Sequence, residues 1–308
     1  MKKLNIAIIG LGNIGSYLYK YLNDNRKILT EKNNCMPFIK YVSAKNKNRK
    51  RNVKIKKNQW LNNYLDATKN KDVDLIVELI GGSEGPAKKL VFNALKNKKH
   101  VVTANKALIA KYGDQLAKIA EKNKVNLEFE ASVAGGIPII KAIKESLSTN
   151  KINKIYGILN GTTNYILTEM EKSGETFEKV LRKAQQLGYA EPGNPKLDLN
   201  GYDALAKVKI LSALAFNKRL SNSVSLMEGI ENVEPKDFEI ADQLNLRIKL
   251  LGITEIINNR LFERVHPCLI KKNTYIGNVS GVMNAVILEG KPVGESVLQG
   301  EGAGPEPT

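Results

Sequence analysis

Three pieces at the start of the chain, in the order they occur, constrain its fold more than anything else in the sequence. An apolar, β-branched run over residues 4–9 leads into Gly10-Leu11-Gly12-Asn13-Ile14-Gly15, and residues 16–22 follow at helical spacing. A short apolar run of this kind has the length of a buried parallel strand. Strand, G-x-G-x-x-G and helix in that order form the dinucleotide-binding fingerprint. Gly10 permits the sharp turn, Gly12 lets a pyrophosphate approach the backbone, and Gly15 lets the helix pack closely. The helix N-terminus then offers N–H groups and the positive end of its dipole to phosphate. Gly10, Gly12, Asn13, Ile14 and Gly15 are therefore the expected dinucleotide contacts.

The alternation continues. Strands are expected at 38–44, 73–80, 100–103 and 126–130, with a helix over 86–96. Repeated strand–helix units imply an α/β fold, a Rossmann-type parallel sheet with helices on both faces. Ligands of such sheets lie at the carboxyl ends of the strands. Gly81-Gly82, residues 103–106 (with Thr103 and Lys106) and residues 132–136 fall there. An NAD-preferring protein usually carries an acidic residue at the end of the second strand. Here Lys45 follows that strand, with Arg49, Lys50 and Arg51 close behind. That favours the 2′-phosphate of NADP, with NAD possible; a solvated basic loop is the other reading.

The 308 residues suit two domains, expected at 1–131 and 132–308. No apolar run is long enough for a membrane span or a signal-peptide core, so a cytoplasmic protein without a membrane partner is expected. The net charge is +17, but lysines are spread through the chain with asparagine, and aromatics are only 6%. That pattern argues for a lysine-rich surface attracting anionic ligands and against nucleic acid as the main partner. Cys35 and Cys268 are expected as reduced thiols, and two histidines are too few for a histidine-based metal site.

Longer strings then narrow the reading. They are 78–82 (ELIGG), 101–108 (VVTANKAL), 130–138 (EASVAGGIP), 157–167 (GILNGTTNYIL), 187–191 (LGYAE), 198–207 (DLNGYDALAK), 264–267 (RVHP), 280–286 (SGVMNAV) and 300–304 (GEGAG). In order and wording they resemble homoserine dehydrogenase over nearly the whole chain. The resemblance implies reversible NAD(P)H-dependent reduction of L-aspartate 4-semialdehyde to L-homoserine, in threonine and methionine biosynthesis. It also implies an α+β catalytic domain after the Rossmann domain that forms a homodimer. The chain stops at Thr308 inside a family string, so the helix that follows there in the family is expected to be missing.

Residue by residue, the resemblance makes Lys207 the proton-transfer group and Asp203 a substrate contact. Lys106 joins them beside cofactor and substrate. The residues themselves fit: 202–216 reads as a helix apolar on nearly all sides, and Asp203 and Lys207 are four apart on one face. An ordinary surface ion pair is the alternative. Glu191 and Asp198 resemble the family's other substrate carboxylates, although the spacing between them is one residue longer here, through Pro192-Gly193-Asn194-Pro195. Gly188 and Gly302 resemble cofactor contacts. Glu130, Val133, Gly135 and Ile137 match a monovalent-cation site, sodium by the resemblance. The polar stretch 160–164 is expected to line the substrate pocket. A cysteine-dependent semialdehyde dehydrogenase fits poorly, because neither cysteine lies in a nucleophile motif. A non-catalytic dinucleotide sensor is the alternative from another class.

Overall fold

In the computed structural model of the chain, residues 2–193, 195–218 and 226–308 are described. The chain divides into two compact units between Ser132 and Val133; Gly304–Glu306 and Thr308 group with the first, Pro307 with the second.

The first unit holds a five-stranded parallel sheet of β1 (Lys2–Ile9), β2 (Cys35–Ser43), β3 (Leu75–Glu78), β4 (His100–Thr103) and β5 (Leu127–Glu128), in the order β2-β1-β3-β4-β5. Between the strands run α1 (Asn13–Asp24), α2 (Arg26–Asn33), the single turn α3 (Asp66–Lys69), α4 (Pro86–Lys96) and α5 (Lys106–Asn123). Ile6, Ile8, Ile39, Val42 and Val77 form its core with Leu11 and Tyr19. β2 begins earlier than its apolar run suggests, because Lys2 and Lys3 of β1 pair with Cys35 and Met36. β5 is shorter than the expected 126–130, because the chain curls into the turn Glu130–Ser132.

The glycine turn is close-packed. Gly10 sits at φ +107, and a Cβ there would lie 2.3 Å from the Leu79 carbonyl oxygen. A Cβ on Gly15 would lie 2.0 Å from the Gly10 carbonyl oxygen, whereas one on Gly12 would meet nothing within 4 Å. Gly15 thus lets α1 pack on the glycine turn itself rather than on the strand. Gly12 is the bare position.

The second unit holds a mixed sheet of β6 (Lys151–Ile158), β7 (Leu226–Met227), β8 (Leu246–Ile257), β9 (Arg260–Lys271), β10 (Met283–Lys291) and β11 (Gly294–Glu301), in the order β11-β10-β6-β8-β9-β7. Its helices are α6 (Ile139–Lys141), α7 (Gly161–Ser173), α8 (Phe177–Gln186), α9 (Lys196–Leu199), α10 (Tyr202–Phe216) and α11 (Pro235–Gln243). α10 is buried along most of its length and packs on β8 and β9, where a Cβ on Gly252 would fall 2.6 Å from Val208 Cγ2. Register places Val297, Ile287, Tyr156, Ile253 and Arg264 in one row across β11, β10, β6, β8 and β9. Tyr156, Ile253, Arg264 and Ile287 line an open trough of about 1010 Å³. Among the described residues no helix is long and apolar enough to cross a membrane.

Lys249 on β8 is 2% exposed. Its ammonium donates to the Val279 carbonyl at 2.7 Å and to Asn164 Oδ1 at 3.3 Å. The Asn164 amide donates in turn to the Gly281 and Met283 carbonyls at 3.0 and 3.2 Å. Burial pushes the ammonium down to about 8 from an ordinary 10.5, with Glu171 opposing the shift and Arg247 and Lys172 adding to it.

Two outcomes follow. Gly15→Ala should lower stability by several kcal/mol in urea denaturation, because backbone must move. For Lys249, the folded state binds the proton less tightly than the unfolded chain between about pH 8 and 10.5. Raising pH through that window should therefore stabilise wild type relative to Lys249→Met by roughly 2–4 kcal/mol. Parallel pH dependence in the two proteins would contradict this.

Candidate active site

The dinucleotide end is built in the first unit. Gly12 stands in extended conformation immediately before Asn13, so the first N–H groups of α1 point outward from the glycine turn. A cleft of about 510 Å³ opens beside it, lined by Gly12, Asn13, Tyr17, Arg49, Lys50 and Arg51 among others. Arg51 is already engaged: its guanidinium donates to the carbonyls of Leu11, Asn46, Lys47 and Arg49 at 2.6–3.1 Å. It therefore holds the basic loop against the glycine turn, with Arg49 and Lys50 in the cleft wall. Lys45 is exposed just past β2, and Ile14 is half-buried inside α1. A nicotinamide dinucleotide fits these residues: a glycine cradle that a Cβ would fill, a helix N-terminus, and cations beside it.

Lys106 opens α5, half-buried, directly after Asn105 caps that helix through Leu108 N–H at 3.1 Å. Thr103 is 1% exposed, and its hydroxyl donates to Glu78 Oε2 at 2.5 Å. The Thr103 side chain is thus engaged within the protein.

In the second unit, two carboxylates converge on one asparagine, and the lysine joins them through Asp203. β6 ends at Ile158, and Asn160 caps α7 by accepting from Thr163 N–H at 2.9 Å. The Asn160 amide donates to Asp198 Oδ1 at 2.9 Å and to Asp203 Oδ2 at 3.0 Å. Lys207, one turn along α10 from Asp203, lies 2.8 Å from the same Oδ2 and donates to the Leu159 carbonyl at 2.6 Å. Asp203 and Lys207 are 7% and 8% exposed, so this is no surface ion pair. A buried pair of this kind persists where its remaining hydrogen bonds are supplied by fixed partners.

The extra residue before Asp198 does not keep it from this cluster, because Asn160 holds Asp198 and Asp203 on one amide. Asn194 in that loop lies outside the described residues. Glu191 is exposed, its backbone carbonyl accepting from Gln185 Nε2 at 3.2 Å. Gly188, at φ +78, makes the turn after α8. Gly302 admits a close neighbour: a Cβ there would overlap the Asn284 amide. Among the proposed cation contacts, Glu130 opens a one-turn helix of the first unit, and Val133, Gly135 and Ile137 belong to the second. No group of three or more histidine, cysteine, aspartate or glutamate side chains among the described residues could hold a metal.

Within 160–164, expected to line the substrate pocket, the structure shows what the polar side chains hold inside the protein. Asn160, Thr163 and Asn164 are buried, and their polar groups hold Asp198, Asp203, the α7 N-terminus and the 279–283 backbone. A polar string reads alike whether it faces a ligand or ties the chain together. The signal for the second reading was an asparagine at a helix N-cap position.

Known proteins resemble the chain over both units. The family model described as homoserine dehydrogenase, NAD binding domain matches residues 10–130, and that of homoserine dehydrogenase matches 138–308. The homoserine dehydrogenase of Neisseria gonorrhoeae is 42% identical over 308 residues, covering 100% of this chain and 70% of that protein. A crystal structure of a homoserine dehydrogenase from Thiobacillus denitrificans superposes with TM-score 0.93 at 41% identity, over 100% of this chain and 70% of that one. The S. aureus enzyme at pH 7.5 gives TM-score 0.85 at 39% identity, over 99% and 74%. With family models over both units and relatives near 40% identity along its whole length, the chain belongs to the homoserine dehydrogenase family.

Proposed function

We propose that Lys207 is the proton donor and acceptor in the reaction of this homoserine dehydrogenase, the NAD(P)-dependent interconversion of L-aspartate 4-semialdehyde and L-homoserine. The observation that carries the proposal is the buried Lys207 ammonium fixed by Asp203 Oδ2 and the Leu159 carbonyl. When bound, the nicotinamide supplies or takes back the hydride at the carbon that is aldehyde on one side and alcohol on the other. As the aldehyde oxygen gains negative charge it needs a proton. An ammonium has three N–H donors. Two are directed by Leu159 and Asp203, which leaves the third to meet the substrate oxygen. In the reverse direction the neutral amine takes the alcohol proton. Positioned proton transfer of this kind contributes ~10²–10⁴-fold in rate.

Asp203 and Asp198, held side by side by Asn160, form the polar end that receives the substrate. The exposed Glu191 carboxylate suits the α-ammonium of an amino acid. Lys106 adds a second cation, at the start of α5. The cofactor we propose is NADP, on the strength of Arg49 and Lys50 in the cleft beside Gly12 and of Lys45 past β2. A monovalent cation, sodium, is part of the same proposal; a hard ion of low charge calls for backbone carbonyls rather than clustered carboxylates. The homodimer is proposed to form through the second unit's sheet. Ile253 and Ile287 in that trough, with the exposed Tyr275 and Leu269, give the face an apolar component among its charged residues.

A cysteine-dependent aldehyde oxidation draws no support from Cys268. Burial pushes its thiol up to about 11, so it is not a thiolate near neutral pH.

Lys207→Ala should lower kcat for semialdehyde reduction by ~10²–10⁴-fold while leaving the fluorescence-measured Kd for NADPH within about twofold. A variant with full turnover would sink the assignment of Lys207. A wild type that binds dinucleotide without turnover would favour a sensor. The doubly substituted Arg49→Ala, Lys50→Ala protein should lose roughly tenfold in kcat/KM for NADPH and little for NADH. Equal losses would remove the basis for the 2′-phosphate reading.

A further inference from the structure

At the carboxyl ends of β3 and β4 lies a hydrogen-bonded ring whose centre, Glu78, the reaction as described does not use. Glu78 is fully buried. One carboxylate oxygen accepts from Ile80 N–H at 2.7 Å and Gly81 N–H at 3.0 Å. The other accepts from the Thr103 hydroxyl at 2.5 Å. Thr103 is its register partner on the neighbouring strand. The Thr103 oxygen accepts from Asn105 N–H at 3.0 Å. The Asn105 amide donates to the Gly82 carbonyl at 2.8 Å, and its oxygen caps α5. The ring therefore closes from Glu78 through Thr103, Asn105 and Gly82 back to the backbone beside Gly81.

Two features give the ring a functional direction. Gly81 and Gly82 both lie at positive φ, and a Cβ on either would meet nothing within 4 Å, so this backbone is bare. Lys106 is the residue immediately after the capping asparagine. In a parallel sheet of this kind, ligands lie outside these strand ends. The outer end of the 79–85 loop is anchored separately, where Glu84 meets Lys88, Lys111 and Tyr112 and is held down to about 2, chiefly by Lys111.

We propose that Glu78 is a positioning residue for the nicotinamide half of the cofactor, acting through Thr103 and Asn105 to fix the Gly81-Gly82 backbone and the start of α5 at Lys106. The proposal rests on the reading of this unit as a nicotinamide dinucleotide site. A buried carboxylate taking three hydrogen bonds ties two adjacent loops to one another. Its replacement by glutamine keeps the size and the oxygen that receives Ile80 and Gly81. The new NH₂ group, however, donates where the carboxylate accepted. The Thr103 O–H then loses its acceptor, and the Thr103 oxygen must serve two donors.

The test compares two ligands in the full chain. NADPH binding is followed by nicotinamide fluorescence. Binding of 2′-phospho-ADP-ribose, which lacks the nicotinamide, is followed by its displacement of NADPH. Glu78→Gln is expected to weaken NADPH about tenfold and to leave 2′-phospho-ADP-ribose within twofold of wild type. Thr103→Val should reproduce this split, Thr103→Ser should restore wild-type binding, and the Glu78→Gln, Thr103→Val double variant should be no weaker than either single. Equal weakening of both ligands would show that the ring only holds the unit together, and no weakening of either would show that it does not position the cofactor; both overturn the proposal. Failure of the dinucleotide reading itself looks different: wild type would bind neither ligand. If Glu78→Gln does not fold, the two Thr103 variants carry the same comparison.

Discussion

A lysine ammonium inside an apolar helix has to be answered by groups that cannot leave, and the second unit is arranged around that requirement. Lys207 is met by the Leu159 carbonyl at the end of β6 and by Asp203 one turn back on α10. Asp203 is itself a buried charge, and the Asn160 amide answers it while also holding Asp198. Asn160 is simultaneously the cap of α7. Four elements, β6, α7, α9 and α10, are thereby referred to one cluster of polar atoms. In low dielectric such a network is strong when complete, and a single missing partner leaves a charge unpaired. The same rigidity presents an ammonium hydrogen in a constant direction, which the proposed proton transfer needs.

The first unit solves a related problem with the opposite charge. Glu78 is buried at a strand end, and backbone N–H groups and a hydroxyl receive it. Around the glycine turn the constraint is volume instead. The carbonyls of Leu79 and Gly10 occupy the space where side chains on Gly10 and Gly15 would stand. Arg51, through four backbone carbonyls, then holds the basic loop to that turn. A lysine- and arginine-rich segment becomes one wall of the cleft beside α1.

Local pattern carried much of this. The glycine turn, the boundaries of α10 over 202–216 and the shared face of Asp203 and Lys207 depend on chain chirality, helical period and apolar runs, all written in neighbouring residues. Strand ends were less legible: β2 gained residues by pairing with β1, and β5 lost them to a turn. The partners of 160–164 were not legible for a similar reason. A polar side chain looks the same in sequence whether its partner is a ligand or a carboxylate 38 or 43 positions away.

The sequence by itself determined the class of fold, the glycine turn, the family, and which lysine and aspartate stand one helical turn apart. These depend on short-range sterics and on strings too long to recur by chance. Only the tertiary structure decided that Asn160 reaches Asp198 despite the longer loop, that it reaches Asp203 as well, that Lys249 is buried against Val279, and that Glu78 ties two strand ends together. Each of these is a hydrogen bond between residues far apart in the chain. Such bonds form because burial removes water as the alternative partner, and burial is a property of the packed molecule rather than of any segment within it.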